Sequence, residues 1–87
     1  TNSITIDPST LVILDSYYDP STYMLDQKNI WTVKEKESDK ILFRVHNKIV
    51  PFIFTEPGVW DVQLEAYDRY GNLKTQYYEG LIIVRDV

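Results

Sequence analysis

The sequence contains no cysteine, one histidine, one methionine and only three glycines in 87 residues. Without cysteine there is neither a disulfide nor a thiolate metal site, so packing alone has to hold the fold. With His46 as the single histidine, a hydrolase relay of nucleophile, base and orienting group has little to draw on. No apolar run approaches the length of a membrane-spanning helix, and no signal-like stretch opens the chain, so no membrane insertion is expected. A basic stripe is missing as well. Nine Lys and Arg stand against thirteen Asp and Glu, for a net charge of −4. Lys34, Lys36 and Lys40 alternate with Glu35, Glu37 and Asp39 and read as a solvated connector. Phosphate neutralisation needs clustered cations, so nucleic acid is not an expected partner. The absence of cysteine does not by itself identify a compartment. The first residue is Thr1 rather than Met, which reads as a domain excised from a larger protein.

What the chain does have is short alternating segments. The length fits one domain, residues 1–87, able to bury roughly two thirds of its unfolded surface. Ser3 to Ile6 alternates and stops near Pro8, as a short edge strand would. Leu11–Leu14 is an apolar run fit for a strand that is covered on both sides or lies at a sheet edge. Ile30–Glu35 sets Trp31 and Val33 on one face against Thr32 and Lys34 on the other. Ile41–His46 sets Ile41, Phe43 and Val45 inward, Arg44 and His46 outward. After a turn at Asn47-Lys48, Ile49–Phe54 turns Val50, Phe52 and Phe54 inward, with Pro51 marking an edge. Pro57-Gly58 makes the next turn. From there Trp60, Val62, Leu64 and Ala66 form a dry face, and Asp61, Gln63 and Glu65 a wet one. Asp68–Asn72 has the length of a hairpin loop, and Leu73–Val87 is the last strand, with a bulge at Glu79-Gly80. Asp15 to Asn29 has no clean period and reads as a long loop, with a helical turn over Ser21–Asp26 as its one candidate element. About seven short strands without a helix predict an all-β fold, an antiparallel two-sheet sandwich. The expected core is Trp31, Phe43, Val45, Phe52, Phe54, Trp60, Val62 and Leu64.

The run Phe54-Thr55-Glu56-Pro57-Gly58-Val59-Trp60-Asp61-Val62-Gln63-Leu64-Glu65-Ala66-Tyr67-Asp68, closing at Gly71-Asn72, resembles the signature of PKD-type immunoglobulin-like domains. Upstream, Asp15-Ser16 to Asp19-Pro20 followed by Trp31 is similar to the family's loop leading to its core Trp. The match is good over the last third and loose elsewhere. The family's Gly-Asp-Gly turn after the Trp strand is replaced by Lys34–Lys40, and the loop before Trp31 is longer. The resemblance implies an Ig-like sandwich acting as a non-catalytic module of an extracellular, cell-surface or virion protein, such as a phage structural protein. Its implied partners are other domains or subunits of the parent assembly. It brings no catalytic residue and no cofactor.

His46 beside Arg44 reads as a surface strand residue. Asp61 and Glu65 share a strand face with Gln63 between them, which is a solvated face rather than a glycosidase pair. Asp15, Asp19, Asp26 and Asp68 supply the oxygen chemistry of calcium, yet no spacing matches a known loop, so turn-forming aspartates are the expectation and no metal is assigned. Seven tyrosines are more than a small core can hold. Tyr17, Tyr18 and Tyr23 share the long loop and Tyr70 sits in a turn. Exposed tyrosines make rigid contact area, so these four are the binding candidates, for a surface glycan or a neighbouring domain. The competing expectation is that Tyr simply covers β surface.

Overall fold

Strand β6 (Gly58–Tyr67) is the spine of the molecule in the computed structural model, which describes residues 3–16, 29–68 and 70–86. Its alternation of apolar and polar residues is the most regular in the chain, and it lies between two other strands. The remaining strands are β1 (Ile4–Ile6), β2 (Thr10–Asp15), β3 (Asn29–Glu35), β4 (Ile41–His46), β5 (Ile49–Phe54) and β7 (Leu73–Val84). Five of them form one sheet in the order β1-β7-β6-β3-β4, and β2 and β5 form a second. Among the described residues there is no helix, and the chain is all-β. The candidate helical turn over Ser21–Asp26 lies outside the described residues.

The sheets are mixed rather than purely antiparallel, which corrects the expectation. β1 runs parallel to β7, with Ile4, Thr5 and Ile6 opposite Ile82, Ile83 and Val84. Parallel neighbours cannot be joined by a tight turn, and here the crossover is the whole of the intervening chain. Three alternating residues carry no signal of strand direction, so the sequence pattern could not reveal it. Arg85 fastens this pair: its backbone N–H donates to Ile6 O at 2.9 Å and its Nε to Asp7 Oδ1 at 2.7 Å.

The buried cluster draws on both sheets. Trp31, Val33, Trp60, Val62, Leu64, Ala66, Ile82 and Val84 come from the larger one, and Leu14, Val50 and Phe54 from the smaller. Phe43, Val45 and Phe52 are half-buried and pack against it. Aromatic rings connect the sheets: Phe43 to Phe52 at 4.5 Å and Phe54 to Trp60 at 6.5 Å between centroids. Such spacings are the favourable range for ring pairs.

Two departures from simple alternation follow from irregular ladders. Between Val33 and Lys34 the β3–β4 register shifts, so that Phe43 faces Val33 but Ile41 faces Lys34. The shift removes Ile41 from the inward series. It is 58% exposed, and Leu42 packs against the core instead. Thr32, expected on the wet face, is buried, as is all of Asn29–Val33. β3 has a neighbour on each edge, and its Thr32 lies between the long side chains of Arg44 and Gln63. The turn at Asn47-Lys48 joins strands of different sheets, and Lys48 is buried at that crossing.

Candidate functional site

The larger correction concerns Asp61. Opposite it, β7 spends extra residues: Trp60 faces Ile82, yet Val62 faces Tyr78. The bulge expected at Glu79-Gly80 is therefore present, and Gly80 adopts φ 62°, a left-handed backbone that a Cβ disfavours. A bulge leaves backbone groups off the ladder, and Asp61 fills that need. Its Oδ1 accepts the Gly80 N–H at 2.7 Å and its Oδ2 the Tyr77 hydroxyl at 2.5 Å. The residue is only 4% exposed, not solvated. The hydrogen bond to Asp61, with some burial, raises the Tyr77 hydroxyl above its ordinary pKa. Lys34 lies 5.5 Å from the Tyr77 ring centroid and 3.5 Å from Asp39. Its ammonium is raised by Tyr77 first and Asp39 second. These groups are occupied in holding a bulge closed. The signal for this was available: a glycine bulge facing a carboxylate on the neighbouring strand.

Of the binding candidates Tyr70 alone lies among the described residues. Asn29, which follows residues 17–28 in the chain, lies opposite Ala66, and Ala66 opposite Lys74. That places Asn29 toward the β6–β7 hairpin that carries Tyr70. Ser16, which precedes residues 17–28, is joined to Asn29 directly, its hydroxyl lying 3.0 Å from Asn29 Oδ1 and 3.2 Å from Lys48 O. One hydroxyl proton is shared between those acceptors. Lys48 O also accepts the Trp31 indole N–H at 3.3 Å and the Ser16 backbone N–H at 3.2 Å. All four residues are buried. Sequence reasoning missed this node, though a Ser and an Asn flanking an irregular loop are the residue types that tie loop ends together.

Tyr70 occupies the tip of the β6–β7 hairpin and is 81% exposed. Asp68 builds the loop beneath it. Its Oδ1 accepts the backbone N–H of Tyr70 at 2.9 Å and of Asn72 at 2.8 Å, and its Oδ2 the Asn72 side-chain amide at 3.2 Å. These donors, the Asn72 backbone N–H foremost, hold the Asp68 carboxyl below its usual pKa. Both oxygens are engaged in shaping the turn. Asp15 sits at the end of β2 on the exposed side of the smaller sheet. Among the described residues no group of three or more His, Cys, Asp or Glu could hold a metal ion. Tyr17, Tyr18, Tyr23, Asp19 and Asp26 lie outside the described residues. Of the other tyrosines, Tyr78 packs against the core and Tyr77 is tied to Asp61. His46 is exposed on β4, and Glu65 pairs with Arg44 at 3.5 Å. On the expected wet face of β6, Asp61 and Glu65 are thus both engaged with other strands.

No family model, curated protein or solved structure matches this chain.

Proposed function

We propose that this chain is an immunoglobulin-like sandwich that serves as a non-catalytic structural module of a larger extracellular, cell-surface or virion assembly. The strand order supports the sandwich. β7-β6-β3-β4 corresponds to the G-F-C-C′ sheet of a variable-type Ig domain, and β2-β5 to the B-E pair of the facing one. The Phe54–Asn72 run adds the PKD-type resemblance within that group.

The observation that carries the spacer role is the parallel pairing of β1 with β7. The chain enters and leaves along neighbouring strands in the same direction, so preceding and following modules would depart in opposite directions along that pair. Tension between them acts along the β1–β7 ladder and loads its bonds together rather than one at a time. Single-molecule pulling tests this. Attachment through residues 1 and 87 should give a higher unfolding force than attachment through residues 72 and 87, which peels β7 from its hairpin end. Equal or lower force through the termini would remove the support for a load-bearing spacer.

A second reading, a glycan-binding module, draws on Tyr70, exposed in the β6–β7 hairpin toward which Asn29 lies, and on Tyr17, Tyr18 and Tyr23 in the sequence just before Asn29. Titration with a glycan panel followed by NMR separates the two. Shifts clustered at these four tyrosines favour binding, and no response to any glycan leaves the spacer.

A further inference from the structure

β1 has three residues, so its hold on β7 depends on what happens at its two ends. At the far end Arg85 secures it through Ile6 O and Asp7. At the near end the Ser3 hydroxyl donates to Gly80 O at 2.8 Å. Gly80 is the bulge glycine whose N–H is held by Asp61 Oδ1 at 2.7 Å. β7 runs between β1 and β6. One residue of β7 is therefore bonded on both flanks, by Ser3 from the side of β1 and by Asp61 from β6.

A regular strand does not allow this. There a residue's N–H and C=O point to the same neighbour. At Gly80 the two are split, the N–H toward β6 and the C=O toward β1, and the left-handed φ of 62° is the rotation that splits them. Gly80 is buried, so both groups need partners. A Cβ there would meet Val59 Cγ1 at an ordinary 3.5 Å, so the backbone conformation, not the space, calls for glycine. The two bonds thus depend on the same φ and ψ. If either partner is lost, Gly80 is free to relax toward extended backbone, and the remaining bond is misaimed.

We infer that β1 is a strap whose docking on β7 is set by Asp61, acting through Gly80. The strap has two states, docked and released, and Asp61 biases them from the far side of β7. It does so by holding the bulge in the form that offers Gly80 O to Ser3. The dependence is reciprocal, so Ser3 in turn steadies the bond between Gly80 and Asp61. Tyr77 contributes as well, since its hydroxyl holds the other oxygen of Asp61. The strap and its latch stand on these bonds and are independent of the spacer role.

NMR hydrogen exchange on the whole chain tests it. The bond from the Arg85 N–H to Ile6 O sets the phase of the parallel ladder, so Ile4 and Ile6 are the β1 residues whose N–H groups face β7. Asp61→Ala should speed exchange of these two amides about tenfold more than it speeds the amides of β3. Asp61→Asn, which keeps an oxygen for Gly80, should speed them less. Ser3→Ala changes an exposed residue. It should speed the Gly80 amide by about threefold or more, and it decides the matter if Asp61→Ala fails to fold. Ile4 and Ile6 amides that quicken only in step with β3, or a Gly80 amide that keeps its parent rate without the Ser3 hydroxyl, would overturn the inference.

Discussion

Replacing Asp61 tests the most specific claim about how this fold is held. Asp61 is nearly inaccessible and accepts two hydrogen bonds, one from a backbone amide that the bulge has taken off the ladder. A hydrogen bond to a charged group contributes about 1.5–3 kcal/mol, and a buried donor left without an acceptor costs about 1–3 kcal/mol. Asp61→Ala loses the first and incurs the second at Gly80, so a loss of about 3 kcal/mol is expected. Asp61→Asn keeps an acceptor for Gly80 and should lose about half as much. Tyr77→Phe removes only a partly exposed donor, for about 1 kcal/mol. A chain of 87 residues has a total stability of roughly 4–13 kcal/mol at ordinary per-residue values, so these losses are measurable. Urea denaturation followed by tryptophan fluorescence is the assay, with midpoints compared at unchanged slope. The double variant should lose less than the two single losses combined, because Tyr77 has no acceptor once Asp61 is gone. The pH dependence supplies a separate test. A raised Tyr77 hydroxyl contributes stability that is complete below its ordinary pKa of 10.0 and lost as pH rises through the higher folded value. Lys34, raised by the same neighbour, loses its contribution in the same alkaline window. Tyr77→Phe should flatten that decline. A loss below about 1 kcal/mol for Asp61→Ala, together with an unchanged alkaline profile in Tyr77→Phe, would refute the clamp.

Two further outcomes follow from single residues. Trp60 has no exposed surface and packs against Phe54, so Trp60→Ala should cost about 3–5 kcal/mol in the same assay. A change below about 1 kcal/mol would mean that the inward face of β6 is misassigned. Asp68 should titrate below its ordinary pKa of 3.8, and its contribution to the hairpin, present above that value, should fade as pH falls through the lower folded one. The amide shifts of Tyr70 and Asn72 report the midpoint, and a midpoint at or above 3.8 would contradict the loop geometry.

How far the sequence could be read depended on whether a feature was local. β6 was legible because its alternation, its Pro57-Gly58 entry and its Asp68–Asn72 exit all agree on one strand. The Glu79-Gly80 bulge was legible for the same reason. Its effect on Asp61 could be read only by pairing the two strands, because Tyr77 and Gly80 on the neighbouring strand take up that carboxylate. Ile41 illustrates the second kind of failure. Strict alternation places it inward, but the register shift beside Val33 turns Ile41 out while Phe43 and Val45 keep their places against the core, and nothing in Ile41 to Val45 announces it. Strand direction and sheet membership were also out of reach. The two-residue link at Asn47-Lys48 has the length of a hairpin turn, yet it takes the chain from one sheet to the other. Among the binding candidates the exposure of Tyr70 was legible, because turn chemistry and an aromatic residue coincide there. The role of Asp68 there is to shape the turn rather than to offer oxygens to calcium.

The unequal sheets have an energetic consequence of their own. A two-stranded sheet is marginal in water unless it packs on something else. β2 and β5 pair at six positions, and on their outer face Leu11, Ile13, Ile49 and Ile53 are exposed. Their stability must come from the inner face, through Leu14, Val50 and Phe54, and from the buried node at Ser16 and Lys48. No disulfide secures them to the larger sheet. Opening of this pair would uncover Trp60 and Trp31 while leaving the β3-β6-β7 ladders intact, which makes it the natural low-energy excursion of the domain.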